Sequence, residues 1–134
     1  MNSLETGQIW THKFSFSQNQ VAEFAKVTGD DNPVHLDADY AAKTAFKRPI
    51  VHGMLGACVF SKVFGTIYPG PGSLYLSQTL DFKGALVVDT DYEALFTVVE
   101  EVAKKRFRIR TRIVEVSTGA ELVDGEAVIR ITNR

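Results

Sequence analysis

The 134-residue chain has the length of one folded domain, and a chain of this size buries roughly 65 to 70% of its unfolded surface in one core. Its 45% hydrophobic and 23% charged residues are typical of globular proteins, which excludes disorder or coiled coil as a description of the whole. The net charge of −1 gives no electrostatic reason to expect nucleic acid or an anionic membrane as partner. We therefore expect a single domain over residues 1–134.

Cysteine, histidine and the amino terminus narrow the possible sites and compartments. The single cysteine, Cys58, lies in an apolar stretch, where we expect it in the core; alone it cannot form an internal disulfide or a cysteine zinc site. His12, His35 and His52 lack the spacing of metal ligands, so no metal site is expected. Residues 1–5 lack the basic and apolar parts of a signal peptide, which favours a cytoplasmic protein.

The first predicted elements are a strand and a capped helix. Residues 8–15 have the pattern of a strand. Ser17 and Gln20 have the spacing of a capping box, in which each side chain accepts a hydrogen bond from the other residue's backbone amide. Apolar residues then recur at helical spacing, and Gly29 supplies the left-handed stop that ends many helices. We therefore predict a helix that ends at about Thr28.

A strongly apolar helix is predicted over residues 53–67. Its apolar side chains lie on nearly every side, with only Ser61 and Lys62 clearly polar, and such a helix must be surrounded by protein. It is shorter than the roughly 20 apolar residues that cross a bilayer. The turn-forming residues 68–72 end it, so we expect a buried central helix and no membrane span.

Beyond this helix the apolar pattern changes to a period of two. Residues 74–82, 92–98, 106–113 and 123–132 alternate between apolar and polar side chains, which predicts half-buried antiparallel strands. A sheet with one apolar face can curl around an all-round apolar helix, leaving its other face to solvent or to a second subunit. This arrangement is an α+β hot-dog fold, a curved antiparallel sheet wrapped around a long apolar central helix.

A polar loop after the first helix carries the strongest candidates for proton chemistry. Pro33 keeps Asn32 out of helical geometry, so the segment is extended or turned. Asp30 and His35, five positions apart, can then point into one cleft as a base and an acid. The same residues also fit an ordinary polar turn, in which Asp and Asn cap the turn and His35 is a surface residue. The composition of the loop leaves both interpretations open.

A second candidate lies at the start of the apolar helix. Gly53 there leaves free amides and a partial positive charge, which suit a developing oxyanion. Alternatively, Gly53 only permits close packing and His52 is a structural histidine. Ser61, the hydroxyl within the apolar helix, either bonds to its own backbone or faces a substrate pocket.

These residues together resemble a known family. Asp30-x-Asn32-Pro33-x-His35, followed by the sequence of residues 46–54, is similar to the hydratase motif of the MaoC-like, (R)-specific enoyl-CoA hydratases. The resemblance extends over nearly the whole chain. Longer members fuse two hot-dog repeats, whereas this chain has one repeat with its own motif. It therefore resembles the short type that works as a homodimer.

The resemblance implies roles for individual residues. Asp30 and His35 are expected to be the catalytic pair, activating one water and delivering a proton to the alpha carbon of an acyl-CoA thioester. Asn32 is expected to help bind substrate, and the Gly53 amide is expected to hold the thioester oxyanion. Ser61, as the hydroxyl of the apolar helix and apart from the resemblance, is the further candidate for substrate binding. The reaction is the reversible syn addition of water to trans-2-enoyl-CoA, giving (R)-3-hydroxyacyl-CoA. No metal or redox cofactor is expected, because coenzyme A enters only as part of the substrate.

Two alternative functions fit the same fold. In an acyl-CoA thioesterase, Asp30 would activate water against the carbonyl carbon, although the Asn-Pro-x-His context disfavours it. In a non-catalytic acyl-CoA binding module, the cleft would hold the thioester without turnover.

Overall fold

The computed structural model describes residues 4–132, in which helices and strands follow the predicted order. Residues 1–3 and residues 133–134 lie outside this range. Residues 1–3 belong to the amino terminus whose sequence favours a cytoplasmic protein. The helices are α1 (Gln18–Thr28), α2 (Pro33–Leu36), α3 (Ala38–Ala42) and α4 (Gly53–Lys62), continued by a π-helical turn (Val63–Ile67). The strands are β1 (Ile9–Phe14), β2 (Ile50–Val51), β3 (Ser73–Gln78), β4 (Asp81–Phe82), β5 (Leu86–Val87), β6 (Tyr92–Ala103), β7 (Arg106–Glu115) and β8 (Glu121–Ile131).

The capping box of α1 forms as predicted. The Ser17 hydroxyl accepts a hydrogen bond from the Gln20 amide at 3.1 Å, and the Gln20 side chain accepts one from the Ser17 amide at 2.9 Å. Gly29 ends the helix at φ 80°, and its amide donates to the Ala25 carbonyl. The start and end of α1 are therefore fixed by local contacts that the sequence encodes.

One antiparallel sheet forms most of the domain. Its strand order is β1-β6-β7-β8-β3, with β4 also paired to β8, while β2 and β5 form a separate two-stranded pair. Along β6, every second side chain from Tyr92 to Val98 is buried, which confirms the period of two. The inner face of the sheet packs against α4 and its π-helical turn, where Phe60 and Phe64 contact Phe96 with ring centroids 5.8 Å and 5.2 Å apart.

This architecture confirms the predicted α+β hot-dog fold, with the helix at Gly53 as its central helix. The last turn of the predicted helix is π-helical instead of α-helical. Among residues 4–132, no helix combines the length and the apolar character that a membrane crossing requires.

The structure corrects two expectations, one about α4 and one about the strand that follows it. Cys58, predicted to lie in the core, is exposed, because it shares with Met54 and Ser61 a face of the helix that borders an open cavity beside β3. The strand predicted over residues 74–82 is divided into β3 and β4, with an irregularity in register between Tyr75 and Ser77. Periodicity identifies an apolar face without specifying what covers it.

The division of this strand accompanies a close backbone crossing. A Cβ atom at Gly125 of β8 would lie 1.9 Å from the Thr79 carbonyl oxygen, so only glycine fits there.

The outer leucines of β3, Leu74 and Leu76, are 47% and 40% exposed, contrary to the inward face that alternation predicts. Tyr75 instead packs against the core.

A polar network lies where β3 meets the sheet. The Tyr75 hydroxyl donates to the Gln78 side-chain oxygen, and the Gln78 amide group donates to the fully buried Thr111 hydroxyl at 2.8 Å. Burial, with a smaller contribution from the Cys58 thiol, raises the pKa of Tyr75 to about 12. The phenol is thus held in its neutral form, as a donor to Gln78.

Replacing this phenol is expected to change the alkaline stability profile. Because folding raises the pKa of Tyr75, its contribution to stability is complete below about pH 10 and is lost as the pH rises toward about 12. Tyr75→Phe should lose about 1 kcal/mol at neutral pH with its hydrogen bond. Between about pH 9 and about pH 11.5, urea unfolding should show a shallower decline for Tyr75→Phe than for the wild type. Parallel declines would contradict the assignment, since all other titrating groups are shared.

The arginine side chains of β7 lie on its partly solvated face. Arg108 contacts Glu100 at 2.6 Å, and Arg110 contacts Asp124 at 3.2 Å. These pairs are substantially exposed, so each contributes little to stability.

Candidate active site

A cavity of about 410 Å³ opens beside the amino terminus of α4. Asp30, His35, His52 and Gly53 line one part of it, and apolar side chains such as Phe46, Met54, Phe82 and Leu86 line the rest. Proton-transfer groups, a helix amino terminus and an apolar wall therefore meet in one space. The loop after α1 and the start of α4, separated in sequence, both contribute to it.

Local structure around Pro33 sets the position of His35. The Asn32 side-chain oxygen accepts a hydrogen bond from the Val34 amide at 3.0 Å, and Pro33 occupies the first position of α2. The His35 ring nitrogen Nδ1 lies 2.8 Å from the Ile50 carbonyl oxygen. A carbonyl oxygen can only accept, so Nδ1 carries a proton, and in the neutral ring Nε2 of His35 holds the lone pair.

His52 links the two halves of the site. It is only 2% exposed, and its Nε2 donates to the backbone carbonyl of Asp30 at 2.8 Å. Its ring stacks on that of His35, with centroids 3.8 Å apart and planes at 25°. The Phe24 ring also contacts the His52 ring, edge to face, with centroids 4.8 Å apart. One ligand atom from each of Asp30, His35 and His52 lies within 4.8 Å of the other two.

The structure distributes the other predicted site residues unevenly. Gly53 lines the cavity as the first residue of α4, where its amide has no partner within the helix. Asn32 is exposed and caps α2; among the described residues it is not one that lines this cavity. Its observed contact therefore shapes the turn that carries His35.

Ser61 lies in a neighbouring cavity. This space of about 430 Å³ is lined by α4 residues, including Met54, Cys58 and Ser61, and by β3 residues, including Tyr75 and Gln78. Met54 lines both cavities. Ser61 thus faces a largely apolar pocket that adjoins the Asp30 and His35 site instead of belonging to it.

Sequence reasoning did not find the part that His52 plays. The sequence gives His52 no catalytic part: it lacks the spacing of a metal ligand and fits a structural histidine beside Gly53. The contacts that matter join it to Asp30 and His35, 22 and 17 positions earlier, and only the fold brings these together.

Comparison with known proteins places the chain in a family. Residues 4–123 match the MaoC like domain. The chain belongs to the MaoC-like family. The MaoC-like chain is 43% identical over 129 residues to the (R)-specific enoyl-CoA hydratase of Aeromonas caviae, with 96% of each chain covered. It is 38% identical over 133 residues to the 3-hydroxybutyryl-CoA dehydratase of Methylorubrum extorquens, covering 98% of this chain and 83% of the relative.

Structural similarity supports the same membership. The unliganded R-hydratase of Pseudomonas aeruginosa superimposes on the MaoC-like chain with a TM-score of 0.91 and 42% sequence identity. The match covers 98% of this chain and 84% of that one. The matched region of the MaoC-like domain, residues 4–123, includes all the residues that line the Asp30 cavity.

Proposed function

We propose that the chain is an (R)-specific enoyl-CoA hydratase that adds water reversibly to trans-2-enoyl-CoA. The observation that carries this proposal is the meeting of Asp30, His35 and the Gly53 amide end of α4 in one cavity. The similarity to hydratases and a dehydratase of acyl-CoA substrates supports the choice of substrate. Hydration and dehydration share one transition state, so the same site performs both directions.

Asp30 and His35 are proposed to handle the proton. A water molecule between them donates one hydrogen bond to the Asp30 carboxylate and one to the lone pair of His35 Nε2. Asp30 takes a proton as the hydroxide adds to C3 of the enoyl chain, and that proton then passes to C2. One water is consumed and the site returns to its starting protonation state.

Gly53 is proposed to stabilise the charge that develops on the thioester oxygen. Addition at C3 pushes electron density through C2 onto that oxygen, and an enolate forms before C2 is protonated. The Gly53 amide is free to donate because it occupies the first turn of the ten-residue helix α4, whose dipole favours negative charge there. Stabilisation confined to this charged state lowers the barrier. No metal or redox cofactor takes part in these steps.

The chain is further proposed to form a homodimer in the cytoplasm. Met54, Cys58 and Ser61 leave one face of the apolar helix uncovered, and Leu74 and Leu76 are exposed on the neighbouring strand β3. A second copy would cover this surface, and Ser61 would then line an enclosed substrate pocket. A free cysteine on that face is compatible with a reducing compartment. Light scattering should give twice the chain mass of 14.8 kDa.

Incubation with crotonyl-CoA distinguishes this function from its alternatives. Hydration removes the enone absorbance without releasing a thiol, whereas a thioesterase releases free coenzyme A. A binding module retains the ligand and changes neither signal. Loss of absorbance with constant thiol is the expected result, and thiol release at the same rate would refute the proposal.

The stereochemistry of the product is a separate prediction. A single water held between Asp30 and His35 lies on one face of the substrate, so hydroxyl and proton should add from the same side. Chiral analysis should therefore give (R)-3-hydroxybutyryl-CoA, and reaction in D₂O should place deuterium at C2 syn to the hydroxyl group. A mainly (S) product would contradict the assigned geometry.

A further inference from the structure

We infer that His52 is a positioning residue of the hydration site, which holds Asp30 through a hydrogen bond and His35 through a ring stack. The inference rests on the proposed function, because its effect is measured as a rate of hydration. His52 itself exchanges no proton with the substrate. It acts on the two proton-transfer residues through the contact that it makes with each of them.

Asp30 depends on a contact with a distant part of the chain. It is exposed and lies in the loop after α1, outside any helix or strand, and its amide donates to the nearby Thr28 hydroxyl at 3.2 Å. Its carbonyl accepts a hydrogen bond from His52 Nε2 at 2.8 Å, across 22 positions of sequence. A single methylene group separates the Asp30 carboxylate from its backbone. Fixing the carbonyl therefore restricts where the carboxylate lies.

The ring of His35 needs a second restraint to have a fixed orientation. Its Nδ1 donates to the Ile50 carbonyl at 2.8 Å, which fixes one atom while the plane of the ring is free to turn about it. The stack on His52, with centroids 3.8 Å apart and planes at 25°, restrains that plane. Nε2, the nitrogen proposed to accept a hydrogen bond from water, moves with the plane. The stack therefore sets the direction in which His35 meets the water.

His52 is itself firmly held. It is only 2% exposed, and Phe24 of α1 contacts its ring edge to face. It also caps α4 and directly precedes Gly53, the proposed oxyanion donor, so its backbone is fixed to the start of that helix. One buried side chain thus connects Asp30 and His35 to α4. Misplacing a reacting group by about 1 Å can lower a rate about a hundredfold, so these restraints affect catalysis.

The two nitrogens of His52 are unequally paired, which favours a role for the donor. Nε2 donates to Asp30, whereas Nδ1 is buried and has no hydrogen-bond partner within residues 4–132. A buried polar atom without a partner is destabilising, and a phenylalanine ring of similar shape would avoid that cost. Packing alone therefore does not account for a histidine at this position, whereas the hydrogen bond to Asp30 does.

Two substitutions separate the two contacts. His52→Phe keeps an aromatic ring for the stack on His35 and removes the donor to Asp30. His52→Gln does the reverse, because its side-chain nitrogen lies as many bonds from the backbone as Nε2 and reaches the Asp30 carbonyl. Each variant should lower kcat for crotonyl-CoA at least about tenfold and change KM less than about threefold, since orientation is lost and not substrate binding.

Double-mutant cycles show whether each loss passes through the expected partner. His52→Phe should cost less than about twofold in an Asp30→Asn background, because the residue that it positions no longer takes a proton. His52→Gln should likewise cost little in a His35→Ala background. Losses that stay undiminished in these backgrounds would overturn the inference, because a general structural defect lowers the rate of every background equally.

His12→Phe and His12→Gln are the matched controls. His12 lies on β1, contacts Lys62 at 3.5 Å and, within residues 4–132, lines neither the Asp30 cavity nor the Ser61 cavity. Both variants should keep the kcat of the wild type. Circular dichroism and thermal melts check that each His52 variant is folded. If His52→Gln does not fold, His52→Phe and its cycle with Asp30→Asn still decide the question.

NMR of the His35 ring, recorded without substrate, separates this inference from the proposed function. A stacked ring shifts the resonances of protons above its face, so the His35 ring protons should lose that shift in His52→Gln and keep one in His52→Phe. Unmoved resonances in His52→Gln would overturn the stack. If His35 responds as expected but the wild type hydrates no enoyl-CoA, the proposed function fails. If the wild type hydrates crotonyl-CoA and both variants keep its kcat, the positioning role alone fails.

Discussion

Asp30→Asn is expected to lower kcat for crotonyl-CoA hydration by about two to four orders of magnitude. Asparagine keeps the shape of the side chain but cannot take a proton from water. The fold should persist, because Asp30 contributes its backbone carbonyl, not its carboxylate, to the hydrogen bond with His52. Progress curves at saturating substrate measure the loss, and a thermal melt within a few degrees of the wild type establishes that it is chemical.

Asp31→Asn is the matched control. Asp31 is adjacent, exposed and of the same charge, and its amide donates to the Gly29 carbonyl at 3.0 Å. Its side chain is not part of the cavity that Asp30 lines. The variant should stay within a few-fold of the wild type, while His35→Ala should approach the loss at Asp30. Equal losses at the two aspartates, or a larger loss at Asp31, would mean that the loop is wrongly aligned with the chemistry.

Local signals predicted the elements that local contacts determine. The capping box at Ser17 and the stop at Gly29 involve neighbours within four positions, so sequence spacing is sufficient to identify them. The alternation along β6 and β7 likewise records which side chains face the core. The loop carrying Asp30 and His35 was identified from its motif, because Pro33 and the Asn32 cap give it a defined turn.

Features that depend on distant contacts were not predicted. Cys58 was placed in the core because the helix is apolar on all sides, yet one chain covers only part of its circumference. The role of His52 depends on a pairing across 22 residues, which no local pattern encodes.

Gly53→Pro is expected to reduce kcat on the order of a hundredfold or more, by removing one oxyanion donor. Proline is suited to the first position of a helix, where no intrahelical hydrogen bond is lost. The preceding residue, His52, already has φ −55° and ψ 132°, which a following proline permits. The backbone can therefore accept proline at position 53. The substitution removes the amide donor while the rest of the helix keeps its hydrogen bonds.

Phe82 complicates this substitution and determines its control. A Cβ atom at position 53 would lie 2.8 Å from the Phe82 ring, a side chain that is 49% exposed and able to move. Gly53→Ala introduces the same Cβ while keeping the amide, and a Phe82→Ala background gives both substitutions room. In that background the proline variant should lose kcat by about a hundredfold relative to the alanine variant, with KM changed less, because the donor acts mainly on the charged transition state. Equal kcat for the two would show that the thioester oxygen binds elsewhere.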